Sequence, residues 1–307
     1  MEICSIGFLL ACVGIVVVFH LLPFARLRRL FLSVVNGLFV VSLVPNIQSG
    51  IWFVIFLGGT YGSLALVRAR PGRTLVWTTI VIVVALFTYV KRYSFIPAVV
   101  PVELWWPVWS QPVAVVGLSY MLFKFIHMLV DEWQGQLSPF TFLSYLNYQL
   151  AFFTLVAGPI QRYNDFKRGW EEMDLQPAEA REGWLAWNRV LIGMVKMRVL
   201  APLVLYASNQ ASKMNPSDPN HAWYSLLVFY LYPVQLYFNF SGYTDAAIGS
   251  AQLLGFKLPE NFNRPYLARN VLDFWNRWHM SLTHWIRDYI FMASYKAAAT
   301  KYPRWAR

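Results

Sequence analysis

The sequence has 307 residues, of which 57% are hydrophobic and 13% are charged, whereas roughly a quarter are charged in an ordinary soluble domain. Such a chain cannot solvate most of its surface, which excludes an ordinary soluble enzyme. The net charge of +11 comes from Lys and Arg that lie mostly between apolar blocks, without a long basic run, so the charge does not indicate nucleic-acid binding.

Four apolar blocks fill the N-terminal part of the chain. They are residues 3–22, 30–44, 51–67 and 75–90. Because bilayer hydrocarbon is about 30 Å thick and backbone amides within it must be paired internally, we predict a spanning helix for each block. Cys4 and Cys12 both fall in the first block, and neither indicates a disulfide or a metal site.

The charges between these blocks predict an orientation. The first connection carries Arg26, Arg28 and Arg29, the second carries no cation, and the third is rich in arginine again. Cytoplasmic loops carry an excess of Lys and Arg, so we expect the first and third connections inside and the N-terminus outside.

The middle of the chain alternates between apolar and polar stretches. Residues 94–111 carry four prolines and a tryptophan cluster, which predicts an interfacial segment. Residues 112–130, 140–157, 184–206 and 222–240 are further candidate membrane helices. Residues 160–182 are the most hydrophilic stretch and are expected in water, as is a loop over 209–221.

Two polar stretches follow. Residues 239–245 predict either a helix start, with Ser241 or Thr244 as N-cap and Asp245 at the positive end of the dipole, or a functional polar site at membrane depth. In residues 259–265, two prolines enclose two asparagines, which excludes a regular helix. That segment is either a plain connector or the lining of a polar cavity.

A helix is predicted over residues 270–292, with Asn270 as its N-cap and an ion pair between Asp273 and Arg277. Its apolar residues recur at spacings of four and three, and His279 flanks that face. On such a helix His284 lies about 140° away from His279, so the two imidazoles cannot share a metal ion. His284 is therefore expected at the surface. His279 is either a structural histidine or a group that takes a proton from a hydroxyl.

Five motifs, taken in order, resemble the membrane-bound O-acyltransferase family. They are VGLSY at 116–120, AGPIQRY at 157–163, FSGYTD at 240–245, ENFNRP at 260–265 and DFWNRWHMS at 273–281, followed by WIRDY at 285–289. Among bacterial branches, the middle of the chain is similar to alginate-type polysaccharide O-acetyltransferases. Residues 273–289 are equally similar to the D-alanyl transfer protein of teichoic-acid synthesis.

The resemblance implies an all-α membrane protein, a bundle around a tunnel with about eight to ten membrane helices plus interfacial helices. It implies one membrane domain over residues 1–307, with N-terminal spanning helices over 1–93 and a core over 94–292. The location implied is the bacterial cytoplasmic membrane, which the chain crosses several times. Such a protein holds no bound cofactor or metal.

The implied reaction moves an acyl group, most simply acetyl, from a cytoplasmic thioester to a hydroxyl of an extracytoplasmic polysaccharide or cell-wall polymer. The donor is acetyl-CoA or an acyl carrier protein thioester, and other cell-envelope modification proteins are expected partners. The implied catalytic residue is His279. The residues expected to line the substrate tunnel are Ser241, Tyr243, Asp245, Asn261, Asn263, Arg277 and Asp288.

The family carries a second histidine in a later apolar helix, and no histidine follows His284 here. We therefore expect a piece of a longer protein, or an incomplete homologue without normal activity. Three alternatives remain open: D-alanyl transfer to a teichoic-acid-like polymer, a transporter whose pathway uses Lys124, Arg189, Lys196 and Asp245, and a scaffold for polysaccharide export.

Overall fold

The computed structural model describes residues 6–91, 117–174, 180–213, 221–292 and 295. Within these ranges the chain is helical without a strand, which confirms the all-α class. The helices are α1 (Ile6–Leu21), α2 (Ala25–Leu43), α3 (Ile47–Ala69), α4 (Arg73–Lys91), α5 (Leu118–Trp133), α6 (Phe142–Leu150), α7 (Phe152–Leu155), α8 (Tyr163–Glu171), α9 (Ala180–Val195), α10 (Ala201–Ser212), α11 (His221–Leu253), α12 (Val271–Trp275) and α13 (Met280–Ile286).

Each of the four N-terminal apolar blocks forms one helix, as predicted. By length and composition, two helical stretches among the described residues could cross a membrane. They are Ile47–Ala69, and Arg181–Ser212, which joins α9 to α10 through a π-helical turn at Lys196–Leu200. Gly7–Leu21 and Arg73–Thr88 are shorter apolar helices. The predicted interfacial segment over 94–111 lies outside the described residues.

The chain forms two compact units. One comprises residues 1–28, 157–161 and 171–307, and the other comprises residues 29–156 and 162–170. The predictions of one membrane domain and of a tunnel within it stay predictions.

In the second unit, the apolar block 140–157 is not one helix, contrary to our expectation. It breaks at Ala151 between α6 and α7. Lys124 of α5 stabilises the break, because its Nζ donates to the carbonyl of Tyr148 at 2.8 Å and to the hydroxyl of Thr154 at 2.8 Å. The last carbonyls of a helix lack partners inside the helix, and the N–H groups of a buried lysine supply them.

Asn36 of α2 pairs with both sides of the same break. Its amide oxygen accepts from the backbone N–H of Phe152 at 3.1 Å, and its amide nitrogen donates to the side chain of Asn147 at 3.0 Å. Irregular backbone at membrane depth is tolerated where protein groups pair with it. Two distant helices therefore supply the partners that the broken helix lacks.

Helix α8, expected in water, packs one of its faces against the protein, and its location relative to the membrane stays a prediction. Tyr163, Phe166 and Trp170 are buried. The first N–H of the helix, that of Tyr163, donates to Nε2 of His127 at 3.2 Å. His127 therefore caps a helix and has a structural role.

The first unit is built on close packing between α9 and α11. A Cβ added at Gly193 would lie 2.5 Å from the carbonyl oxygen of Gly242, and one added at Gly249 would lie 2.7 Å from that of Ala186. Small residues let membrane helices approach this closely. Helix α11 runs unbroken through residues 239–245, so the prediction that Ser241 or Thr244 caps a helix start is wrong. Gly242, within this stretch, lies in the contact with α9.

The predicted helix over 270–292 is also wrong in its middle. Asn270 caps α12 as expected, accepting from the N–H of Asp273 at 2.8 Å, but the helix ends at Trp275. Helix α13 then begins at Met280 and passes into a π-helical turn at Arg287–Phe291. Val271 and Trp275, which periodicity placed on one apolar face, are more than half exposed.

Candidate active site

The break between α12 and α13 exists because residues 259–265 pack against it. The N–H of Asn263 donates to the carbonyl of Arg277 at 2.9 Å, and the N–H of Met280 donates to the carbonyl of Asn261 at 3.0 Å. Between them, Phe262 and Trp278 form an isolated antiparallel bridge. The non-helical conformation predicted for the proline-bounded segment is confirmed, and it lies against the chain that carries His279.

An aromatic cluster holds this pairing together. The ring of Phe262 meets those of Trp278 at 5.0 Å and Phe240 at 5.1 Å, all edge to face. Tyr237 and Tyr266 extend the cluster. Such ring pairs are worth about 0.5–1.5 kcal/mol each beyond area burial, so several together fix the loop to α11.

His279 has a strained backbone. Its φ of 45° and ψ of 51° lie in the left-handed region, and among the described non-glycine residues only Arg264 also has positive φ. This conformation costs an L-residue roughly 1–2 kcal/mol. Strained residues concentrate where surrounding structure over-determines the chain, which is frequent at functional sites.

Asn261 takes over the capping that His279 would otherwise provide. The side chain of His279, although it stands at the N-cap of α13, makes no capping hydrogen bond within the described chain. The N–H groups of Met280 and Ser281 instead donate to the carbonyl and the amide oxygen of Asn261, at 3.0 and 3.2 Å. The imidazole of His279 therefore remains available to bind another group.

The imidazole of His279 lies in an apolar setting. Its ring stands edge-on to Phe240, with centroids 4.8 Å apart. Burial lowers the pKa of His279 from 6.5 to about 4, because the charged form loses hydration there. At neutral pH the ring is therefore uncharged, and one of its nitrogens accepts a hydrogen bond.

Several buried polar atoms in the first unit lack a hydrogen-bond partner among the described residues. They are Ser241 Oγ, Thr244 Oγ1, Asn261 Nδ2 and His279 Nε2. Buried polar groups are normally paired, so unpaired ones mark places for water or a ligand. Two of the four, Asn261 and His279, meet at the first turn of α13.

The other predicted lining residues have protein partners or lie at the surface. Tyr243 packs against Met197 and Ala246. Arg277 pairs with Asp273 at 2.7 Å, as predicted. Asp288 is exposed and pairs with Arg287 at 2.8 Å, Asn263 is exposed, and His284 is exposed as expected. A place for these residues in a substrate tunnel stays a prediction.

Asp245 belongs to a network of four charges. Its carboxylate pairs with Lys196 at 2.6 Å and with Arg189 at 3.1 Å, and Arg189 also donates to Glu260 at 2.7 Å. The network anchors residue 260, next to Asn261, to α9. Opposite charges balance within it.

Sequence reasoning gave no individual role to three residues beside this site. Ser281 accepts from the N–H of Ile160 at 3.0 Å, and Gln161 donates to the carbonyl of Lys257 at 2.9 Å. Residues 157–161 therefore pack on the same loop, and the resemblance of AGPIQRY to a family motif was the one signal for them. Phe240, which contacts His279, had no distinct signal in the sequence.

The described residues contain no group of three or more His, Cys, Asp or Glu that could hold a metal ion.

The comparisons with known proteins agree on one family. The model of the membrane-bound O-acyltransferase family matches residues 74–306. The sequence is 35% identical over 199 residues to a teichoic acid D-alanyltransferase of Bacillus subtilis, covering 61% of this chain and 49% of that protein.

Two further relatives carry O-acetyl transfer in their names. A probable alginate O-acetylase AlgI of Pseudomonas aeruginosa is 32% identical over 180 residues, covering 58% of this chain and 33% of that protein. A peptidoglycan O-acetyltransferase of Helicobacter pylori is 35% identical over 152 residues, covering 49% of this chain and 28% of that protein. The chain matches half the length of these relatives or less.

Proposed function

Because the chain belongs to the membrane-bound O-acyltransferase family, we propose that it is an O-acyltransferase of the cell envelope. It moves an acyl group, most simply acetyl, from a cytoplasmic thioester to a hydroxyl of an extracytoplasmic polysaccharide or cell-wall polymer. The relatives that act, by their names, on alginate, peptidoglycan and teichoic acid support this class of acceptor.

The observation that carries the proposal is the uncharged imidazole of His279, whose buried Nε2 lacks a partner among the described residues. In the proposed reaction Nε2 accepts a hydrogen bond from the acceptor hydroxyl. The hydroxyl oxygen attacks the thioester carbonyl, the C–O bond forms and the C–S bond breaks. The hydroxyl proton leaves with the thiol, so no covalent enzyme intermediate is needed.

The pKa of about 4 defines how His279 acts. A group this weakly basic does not hold the proton at neutral pH, but it orients the hydroxyl and polarises the O–H bond. Proximity and orientation of this kind are large contributors to catalysis. We therefore propose His279 as the residue that positions the acceptor.

The proposed donor is acetyl-CoA or an acyl carrier protein thioester, and the proposed location is the bacterial cytoplasmic membrane, crossed several times. Apolar helices in both units support a membrane location. Cell-envelope modification proteins are the proposed partners.

D-alanyl transfer to a teichoic-acid-like polymer is a second candidate. The observation that favours it is the 35% identity to a teichoic acid D-alanyltransferase. The two candidates share the transfer to a hydroxyl and differ in the acyl group. Identifying the released acid therefore decides between them.

The charged residues of the transporter alternative have protein partners. Lys124 binds the ends of a broken helix, and Arg189, Lys196 and Asp245 pair with one another. Charges on an ion pathway also pair in this way, so the ester measurement below decides between enzyme and transporter.

The test is deletion of the complete gene, followed by its reintroduction. Envelope polymer is isolated from both strains and treated with mild alkali, and the released acids are identified. Release of acetate that depends on the gene supports the proposal, and release of D-alanine supports the second candidate. Equal ester content in both strains, with polymer amount unchanged, would contradict both acyl-transfer candidates. The scaffold for polysaccharide export would then remain.

A further inference from the structure

The amide of Asn261 has a forced orientation. Its side-chain oxygen accepts from the N–H of Ser281 at 3.2 Å. Rotating the amide by 180° would place its NH₂ group against that N–H, donor against donor, so the nitrogen must point the other way. The carbonyl of the same residue accepts from Met280, which fixes the backbone as well.

The amide nitrogen of Asn261, Nδ2, donates no hydrogen bond within the described part of the fold. Asn261 is fully buried, and Nδ2 has no hydrogen-bond partner among the described residues. An unpaired buried donor costs about 1–3 kcal/mol, so its retention calls for another role. A capping role alone needs only the amide oxygen, not the amide nitrogen.

Asn261 and His279 are held by the same turn. The two segments that carry them are joined by backbone hydrogen bonds on either side of the Phe262–Trp278 bridge. One residue therefore presents a neutral acceptor, and the other presents a rigid donor. A hydroxyl attacking a carbonyl needs both, because the hydroxyl donates to the acceptor while negative charge grows on the carbonyl oxygen.

We propose that Nδ2 of Asn261 donates to the carbonyl oxygen of the acyl thioester, an inference that rests on the proposed function. As the acceptor hydroxyl attacks, negative charge develops on that oxygen and Nδ2 stabilises it. When the C–S bond breaks, the carbonyl re-forms and the thiol carries away the hydroxyl proton. A preorganised donor at such an oxygen contributes about 10²–10³ in rate.

The test separates the donor from the cap. In Asn261→Asp, a carboxylate oxygen still accepts from Ser281, but no N–H remains. Asn270→Asp is the matched control, because Asn270 also caps a helix through its amide oxygen and is exposed, away from the site. Asn261→Ser also removes the N–H, without adding a charge, and serves if the aspartate variant is lost from the membrane. The complete protein is expressed in the deletion strain.

Three quantities are measured: the amount of protein in the membrane, its thermal midpoint in detergent, and the initial rate of polymer ester formation after induction. Because Asn261 is fully buried, Asn261→Asp is expected to lower the midpoint, and at equal amounts of folded protein its rate is expected to fall by about 10²-fold. Asn270→Asp is expected to keep all three. Asn261→Ser is expected to lose rate as well.

Two outcomes would overturn the inference, and they are distinguishable. Ester formation at the wild-type rate by Asn261→Asp, or by Asn261→Ser if the first variant does not accumulate, would show that the donor is not used. Absence of gene-dependent ester even from the wild-type protein would overturn the proposed function and the inference together.

Discussion

At the scale of single residues, the proposed reaction depends on His279, whose backbone is strained and whose Nε2 has no partner among the described residues. The left-handed conformation of His279 is kept because the loop of residues 259–265 binds the chain on both sides of it. The strained backbone of His279 and its unpartnered Nε2 therefore have one cause: Asn261 caps α13 in place of His279.

Replacement of His279 should show this strain directly. Glycine adopts positive φ without penalty, whereas alanine does not. In the complete protein we expect His279→Gly to unfold at a higher temperature than His279→Ala, by roughly 1 kcal/mol in free energy of unfolding. Thermal unfolding in detergent measures the difference. The reverse order would show that residue 279 does not keep a left-handed backbone.

The lowered pKa of His279 also predicts a pH dependence. The folded protein holds this ring neutral down to about pH 4, whereas the unfolded chain binds a proton near pH 6.5. The contribution to stability is therefore full above pH 6.5 and is lost as the pH falls from 6.5 towards 4.

A comparison of wild type with His279→Gly isolates this effect, because all other groups are common to both. Thermal midpoints are measured at pH 7.5 and at pH 5. The wild type should lose more stability than the variant between these two values. An equal loss would mean that the ring is hydrated.

At the scale of helices, side chains distant in sequence stabilise the breaks. Lys124→Met should leave the carbonyl of Tyr148 and the hydroxyl of Thr154 without their donor, and unpaired buried groups cost about 1–3 kcal/mol each. We expect a lower thermal midpoint. Lys257→Met, at an exposed site, is the control and should change little. A midpoint unaffected by the loss of Lys124 would exclude its capping role.

The packing of α9 on α11 gives a second prediction at this scale. In Gly193→Ala, the new methyl group would lie 2.5 Å from the carbonyl oxygen of Gly242, so the helices must separate and stability should fall. Gly183→Ala on the same helix has open space around it and should be neutral or stabilising. Membrane-inserted amount and thermal midpoint measure both variants. Similar behaviour of the two would contradict the close contact.

These elements also show what sequence reasoning can reach. The helices α1 to α4 follow from apolar length, and the loop 259–265 follows from its prolines. The breaks at Ala151 and at residues 276–279 could not be predicted, because the groups that stabilise them come from Lys124, Asn36 and Asn261, far along the chain. The polar stretch 239–245 stays helical because its glycine contacts α9, which local sequence does not reveal.

For the site, the five motifs identified His279 and Asn261, but not how they are arranged. Both the left-handed backbone and the transferred cap depend on contacts between residues about 20 positions apart. Helical periodicity therefore placed His279 on a continuous helix that does not exist.

At the scale of the whole molecule, the orientation predicted from charge stays a prediction, and contacts inside the second unit say which helix ends lie together. Arg29 donates to the carbonyl of Trp170 at the end of α8, and Arg68 pairs with Glu132 at the end of α5. Asn164 of α8 donates to the carbonyl of Gln136. The arginine-bearing ends of α2 and α3 therefore lie on one side, the side that charge predicts to be cytoplasmic.

Single cysteines test that orientation in the complete protein, with Cys4 and Cys12 replaced by alanine. Gln136→Cys should react with a membrane-impermeant maleimide only in inverted vesicles. Pro45→Cys, at the opposite end of α3, should react only in spheroplasts. Both positions are exposed. Labelling of both from one side would contradict the orientation.

The proposed reaction requires the imidazole of His279 to take part in ester formation. The most direct measurement is the initial rate of ester formation on envelope polymer by the complete protein and by its His279→Gly variant, at equal amounts in the membrane. Because glycine suits the left-handed backbone, the variant removes the ring without adding strain. The account predicts a fall of about 10²-fold, and an unchanged rate from a folded variant would contradict it.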